Sequence, residues 1–263
     1  MDVEKVLEYS MDISHVVVNG CSFAYGQGLE KITEQSWAGL LAKKLNLPIV
    51  NIAGKGSGND SIMRRTFQYF YQNLPTKSKP LFVITLSQAI RREEYVIRYK
   101  DSPVRDFVTL ACYSDEPIER GIYEHYDDGG IVACELRKLV YWSAMINLLK
   151  ANNIPYIIAD FMPEHDEKII DKVKSIVPDM YNELHNDTNM VGRLDKITFN
   201  YPKLPCGHDG IAGNIALSEH LYSHIVKRYD VNPVNIPYVT AKEYLFLACQ
   251  TQYYAGLDWC NNV

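Results

Sequence analysis

Short unbroken apolar runs alternate with longer segments of helical spacing along most of this chain. Ile13-Ser14-His15-Val16-Val17-Val18-Asn19-Gly20 is a β-branched run stopped by glycine and reads as a buried strand. A Gly-punctuated turn, Gly20 to Gly28, follows it. Trp37 to Leu45 then has helical periodicity, with Thr33 or Ser36 as N-cap. Pro48-Ile49-Val50-Asn51-Ile52-Ala53 is a second strand and leads into Gly54-Lys55-Gly56-Ser57-Gly58-Asn59-Asp60, after which Ser61 to Leu74 is helical. Leu81 to Leu86 predicts a third strand, Cys134 to Ala151 a strong helix, Asn153 to Asp160 a fourth strand and Ile211 to Tyr229 a last helix. On that last helix, Ile211, Ile215, Tyr222, Ile225 and Val226 mark the expected core face.

Strands that alternate with helices favour a mostly parallel sheet between helical layers, a three-layer α/β/α sandwich of flavodoxin-like type. The strands are continuous apolar runs, as expected when both sheet faces are covered. Ligands of such sheets sit beyond the carboxyl ends of the strands. Three segments with unusual chemistry fall there: the turn at Ser22, the turn at Gly56, and Ser87-Gln88. One domain is expected to span 1–263, with an insertion at about 88–132 and a C-terminal extension at about 230–263.

Composition narrows the function classes. With 47% hydrophobic residues the chain can build a core, and with 27 Lys+Arg against 32 Asp+Glu it lacks the basic surplus of a duplex-DNA binder. Six Cys without a CxxC make no disulfide framework. The N-terminal Met1-Asp2-Val3-Glu4-Lys5 is polar with no apolar h-region, and no run approaches a membrane span. The expectation is a cytoplasmic protein without membrane contact. The excess is tyrosine, 19 residues, part of it at Tyr95, Tyr99, Tyr113, Tyr123 and Tyr126 among Arg91, Arg92, Arg98 and Arg105. Such a segment suits recognition of a sugar, base or protein, and equally a small packed subdomain.

Val18-Asn19-Gly20-Cys21-Ser22-Phe23-Ala24-Tyr25-Gly26 resembles the first block of the SGNH/GDSL hydrolase superfamily, where a serine after the first strand is the nucleophile. Cys21 stands where that family usually has Asp. Asn51-Ile52-Ala53-Gly54-Lys55-Gly56-Ser57-Gly58-Asn59 is similar to its second block, and Gly207-His208-Asp209-Gly210 to its last, ahead of the final helix. The variant Asn-Gly-Cys-Ser-Phe with a later Gly-x-x-Asn-Asp resembles SGNH-like proteins encoded by phages, which would put the chain in a host cytosol. The resemblance covers roughly 13–90 and 133–229.

It implies acyl transfer: Ser22 attacks an ester or acetyl carbonyl and His208 carries the proton. The oxyanion would be held by the N–H groups of Ser22 and Gly56 and by a side-chain donor, Asn59 or Ser87. No cofactor and no metal are needed, and the substrate would be a small-molecule or glycan ester. Two departures stand against this. The family's Asn after the third strand is replaced at Ser87-Gln88, and its Asp three residues before the histidine is Pro205. A backbone carbonyl, Asp195 or Asp209 would then have to orient His208. The departures favour a rival of another class, a catalytically inactive SGNH-like binding or phage virion-associated module. Acyl transfer to an acceptor other than water is a third reading on the same residues.

The blander roles are definite too. Ser22 could cap the following helix, the glycines could serve a tight turn, and His208 could be a surface residue. Cys21 is a rival nucleophile, but strand alternation turns it toward the core. Asp160 reads as a cap. His220 and His224 are i,i+4 on the face opposite the expected core and read as solvated, without a third metal ligand. The apolar tail from Tyr244 to Trp259 offers a surface for homo-oligomerisation.

Overall fold

The computed structural model describes residues 13–74, 79–97, 105–110, 128–161, 167–229 and 231. The chain runs β1 (Ile13–Asn19), α1 (Ser22–Tyr25), α2 (Ile32–Gln35), α3 (Trp37–Leu45), β2 (Ile49–Asn51), α4 (Asn59–Asn73) and β3 (Lys79–Leu86). It continues with β4 (Arg92–Ile97), β5 (Arg105–Leu110), α5 (Asp128–Ala151), β6 (Tyr156–Asp160), α6 (Glu167–Ile176) and α7 (Pro178–His185). β7 (Met190–Arg193), α8 (Asp195–Thr198) and α9 (Ile211–Val226) complete the described elements.

β2, β1, β3, β6 and β7 form one sheet in that order, and every neighbouring pair is parallel. The order reverses between β1 and β3, the point at which open α/β sheets leave a crevice at their carboxyl edge. Alternate residues of the strands feed two cores. Val16, Val18, Leu81, Val83, Ile157 and Ala159 pack with α3 and α9 on one face. Val17, Phe82, Ile84, Leu86, Tyr156 and Ile158 pack with α4, α5, α6 and α7 on the other. Both faces are therefore covered, which explains the unbroken apolar runs 16–18, 81–84 and 156–159 in the central strands. The three-layer α/β/α sandwich with a parallel sheet matches the expected architecture.

Ser36 is the N-cap of α3, its hydroxyl accepting from Gly39 N–H at 3.2 Å. The stretch 88–132 carries short elements, a two-stranded antiparallel sheet of β4 with β5. Other features differ from expectation: α5 begins at Asp128 rather than at Cys134. β7 and the helices α6 and α7 lie where no regular element was expected. The buried face of α9 is Gly213, Asn214, Leu217, Ser218, Leu221 and Ile225, whereas Ile211, Ile215 and Val226 are exposed. Two polar residues sit on that buried face because they are bonded there. Asn214 Oδ1 accepts from Trp37 N–H at 2.8 Å, and Ser218 Oγ donates to Ile215 O at 2.8 Å. The C-terminal extension, apart from Val231, lies outside the described residues, as do Tyr99, Tyr113, Tyr123 and Tyr126. Among the described residues no helix is long and apolar enough to cross a membrane.

Phe82 lies at the centre of the sheet with no exposed surface. Phe82→Ala should lower unfolding stability by about 3–5 kcal/mol in urea titrations. A loss below about 1 kcal/mol would mean that this face of the sheet is not close-packed.

Candidate active site

The site begins where β1 ends. A Cβ at Gly20 would stand 2.0 Å from Thr85 Oγ1 and 2.7 Å from Ala24 Cβ, so the turn leaving β1 presses directly on β3. Asn19 ties the same corner to α4: its Nδ2 donates to Ile62 O at 2.7 Å and Thr66 Oγ1 at 2.9 Å, and its Oδ1 accepts from Gly20 N–H at 2.8 Å. The chain then enters α1, whose N-cap is Cys21 and whose first residue is Ser22. α1 is closed after one turn by Gly26 at φ +87°, where Gly26 and Gln27 N–H both donate to Ser22 O at 3.0 Å. Ser22 is therefore no cap. Its side chain is 4% exposed, and neither its hydroxyl nor its N–H has a hydrogen-bond partner among the described residues. Cys21 is fully buried, in keeping with the core-facing orientation expected for it.

The turn after β2 faces α1. Gly56 adopts φ +69°, a left-handed conformation that favours glycine, and nothing lies within 4 Å of where its Cβ would be. Its N–H has no partner among the described residues. Arg65 supports this turn from beneath, donating to Ser57 Oγ, to Ser61 Oγ at 2.9 Å and to Ser61 O at 3.3 Å. A Cβ at Gly54 would fall 2.1 Å from Arg65 Nη1. Burial lowers the Arg65 pKa to about 10, still well above neutrality.

Asn59 and Asp60, which open α4, act as a brace. Asn59 Nδ2 donates to Ser87 O at 2.9 Å and Gln88 O at 3.3 Å, and its Oδ1 accepts from Ser87 N–H at 2.8 Å. Asp60 accepts from Glu93 N–H at 2.5 Å and from Ser61 N–H at 2.8 Å. Burial raises the Asp60 pKa, against the pull of these N–H donors. The structure therefore places Asn59, expected as an oxyanion donor, with its amide nitrogen engaged by two backbone carbonyls of the β3 loop. Ser87 is fully buried and its hydroxyl accepts from Arg91 Nη1 at 3.4 Å.

His208 comes from the loop before α9. That loop is held by the Lys203–Asp209 bridge, by Leu204 N–H to His208 O at 2.8 Å and by Asn214 Nδ2 to Asp209 O at 2.9 Å. The imidazole lies 4.7 Å, centroid to centroid, from the ring of Phe23, the residue after Ser22, and Phe23 in turn packs 4.3 Å from Phe161. Phe23 thus joins the serine turn to the histidine loop. Among the described residues Ser22 and His208 share no hydrogen bond. His208 Nδ1 is buried without a hydrogen bond of full geometry. Burial lowers the His208 pKa below its ordinary value; the Cys206 carbonyl and Asp209 raise it, while Arg91 and Lys203 lower it further. Neither proposed carboxylate orients the ring. Asp195 is bonded to Arg193 at 2.5 and 3.0 Å, and Asp209 is paired with Lys203.

A cavity of about 210 Å³ adjoins α1, lined by Tyr25, Gln27, Leu29, Ile32, Lys55 and Cys206 among others. A larger one of about 630 Å³ lies along α9, bordered by Tyr201, Ile215 and His220, and includes none of the expected site residues. His220 and His224 are half-buried rather than solvated, with ring centroids 4.7 Å apart. Among the described residues no group of three His, Cys, Asp or Glu could hold a metal. Asp160 is not a cap but half of a buried ion pair, 2.7 Å from Lys138 Nζ.

Sequence reasoning missed Phe23 as the link between the two loops and the brace formed by Asn59 and Asp60. It also grouped Arg91 with an insertion rather than with the site. The only sequence signal was proximity, four residues after Ser87, and that does not show how the loop returns toward His208.

No family model matches this chain, and no curated protein matches it in sequence. Solved structures are similar in fold. One named as a lipolytic protein of the G-D-S-L family from Veillonella parvula is 7% identical, over 81% of this chain and 99% of that one, at a TM-score of 0.46. TesA is 14% identical, over 80% and 97%, at 0.47. A carbohydrate esterase whose active site is described as displaying divergent catalytic and non-catalytic binding functions is 12% identical, over 83% and 70%, at 0.47.

Proposed function

We propose that the chain is a serine hydrolase that cleaves a small acyl group, such as acetyl, from an alcohol or glycan. The observation that carries this reading is the state of Ser22. It is a nearly buried serine at a strand end whose hydroxyl and N–H are both unspent, beside a turn whose Gly56 N–H is also unspent. A serine retained only for structure would normally use its hydroxyl as a cap.

In the reaction, Ser22 Oγ bonds to the acyl carbon while its proton passes to His208 Nε2. The carbonyl π pair moves onto oxygen, where the Ser22 and Gly56 N–H groups receive it. Collapse of this intermediate breaks the bond to the alcohol, which takes the proton from His208. Water then repeats the sequence on the acyl-enzyme. The imidazole, desolvated and close to positive charge, is neutral at pH 7 and ready to accept a proton. The Cys206 carbonyl is its backbone orienter. The 210 Å³ cavity beside α1, whose lining includes Tyr25 and Lys55 but not Ser22, Gly56 or His208, is smaller than the roughly 300 Å³ at which drug-sized pockets begin, so the space adjoining the serine turn has room for no more than a short group or a single sugar ring. The reading does not require Ser22 and His208 to be bonded in the unliganded chain, because catalytic hydrogen bonds tighten when substrate binds.

The absence of a carboxylate on His208 favours the second reading, a binding module that has lost catalysis. The two readings separate cleanly on a chromogenic acetyl ester. The hydrolase reading expects turnover, fluorophosphonate labelling at Ser22, and a loss of about a thousandfold or more in kcat/KM for Ser22→Ala. Equal rates for the two proteins exclude it. The pH profile is a separate check. Since His208 must be neutral to accept the proton, kcat/KM should fall as pH drops through its pKa, with a midpoint below the ordinary 6.5. An acid limb centred above 6.5 would contradict the assignment of His208 as base.

A further inference from the structure

We propose that Arg91 is the side-chain donor for the oxyanion, its guanidinium meeting the substrate's carbonyl oxygen in place of Asn59. This rests on the hydrolase reading above. The first observation is how firmly the loop that carries Arg91 is set. Asn59 holds Ser87 and Gln88 at one end, and Asp60 holds Glu93 N–H at the other. Arg64 adds a two-pronged pair to Glu93, Nη2 to Oε1 at 2.7 Å and Nε to Oε2 at 2.9 Å. Three residues of the first two turns of α4 thus bracket position 91. Between them, Gly58 lies against Arg91 itself, for a Cβ there would stand 2.6 Å from Arg91 O. A loop pinned this way presents its side chain without reorganisation when charge develops, the condition for effective electrostatic catalysis.

The second observation is direction. The guanidinium lies 3.4 Å from Ser87 Oγ at the carboxyl end of β3, and its positive charge lowers the basicity of His208. β3 borders β1 at the sheet's reversal, so Ser22 and Arg91 leave neighbouring strands toward one crevice. In the resting enzyme this cation disfavours the imidazolium form. In the tetrahedral intermediate the imidazolium and the oxyanion appear together, and the oxyanion offsets the repulsion between the two cations. Arg91 exchanges no proton and forms no bond. It only receives the negative charge as the carbonyl electron pair moves to oxygen and gives it up on collapse.

The experiment compares wild type, R91A and R91K on a neutral acetyl ester, after fluorophosphonate has been used to label Ser22 in the wild type. Loss of one oxyanion donor should lower kcat in R91A by about 10²–10³-fold with KM changed little. R91K should recover part of it, since a charge is restored without the planar fork. The acid limb of kcat/KM should also move to higher pH in R91A, because of the charged groups acting on His208 only Asp209 and Lys203 then remain with the Cys206 carbonyl. A wholly structural role would not move that limb. If Ser22 is labelled but R91A keeps kcat within threefold of wild type, this inference is overturned and the hydrolase reading stands. A rise in KM with kcat retained also overturns it, by making Arg91 a binding residue. Absence of both labelling and turnover in the wild type removes the two together.

Discussion

Where β1 leaves the sheet, the backbone at Gly20 lies so close to Thr85 that no side chain fits between them. The site depends on that approach. Because the turn presses on β3, the chain must begin α1 at once, which puts Ser22 at the first helical position and Phe23 toward the loop of His208. Asn19 anchors the same corner to α4, so the turn after β1 and the helix that starts the brace move as one body. The serine turn is thus set by a strand end, while Gly56 and His208 are carried by loops that hydrogen bonds pin to the scaffold.

The electrostatics follow from the same packing. His208 is half-buried against Phe23, and that desolvation lowers its basicity more than any single neighbour does. Asp195 and Asp209 are engaged with Arg193 and Lys203, and the Cys206 carbonyl and Asp209 raise the pKa without offsetting the burial. A base of this kind is weak but remains unprotonated across the neutral range, which suits esters, whose leaving alkoxides are easier to expel than amines. Positive charge is meanwhile built in near the strand ends, in Arg65 beneath the Gly56 turn and Arg91 after β3. A chain with a net charge of −5 thus keeps cations where negative charge would form.

Both faces of the sheet contribute, in different ways. On the side of α3 and α9, polar groups such as Asn214 and Ser218 are buried but bonded, and they fix the helix that follows His208. On the side of α5, Lys138 and Asp160 form a buried pair, with Glu135 nearby pushed toward its neutral form by burial. The second cluster lies across the sheet from His208, since Asp160 alternates with Ala159 and Phe161, which face it.

β1, β3 and β6 could be read directly from the sequence because each holds an unbroken apolar run, the pattern of a strand covered on both faces. Ser22, Gly56 and His208 were legible for a local reason: each belongs to a short segment at a strand or helix end where glycine spacing dictates a turn. β7 was not legible, since its four residues, Met190-Val191-Gly192-Arg193, carry no run long enough to signal a strand and pair only because β6 offers an edge. The buried face of α9 was misjudged for a related cause. Hydrophobicity alone favoured Ile211 and Ile215, but Asn214 and Ser218 enter the core through hydrogen bonds that no periodicity encodes. The sequence by itself thus determined the layers, the strand ends and the serine turn, all of which rest on local pattern. Only the tertiary structure decided that Asn59 clamps the β3 loop and that Phe23 links the serine turn to the loop of His208. Those are contacts between residues distant in sequence, and their energies depend on burial and distance, which exist only once the chain has folded.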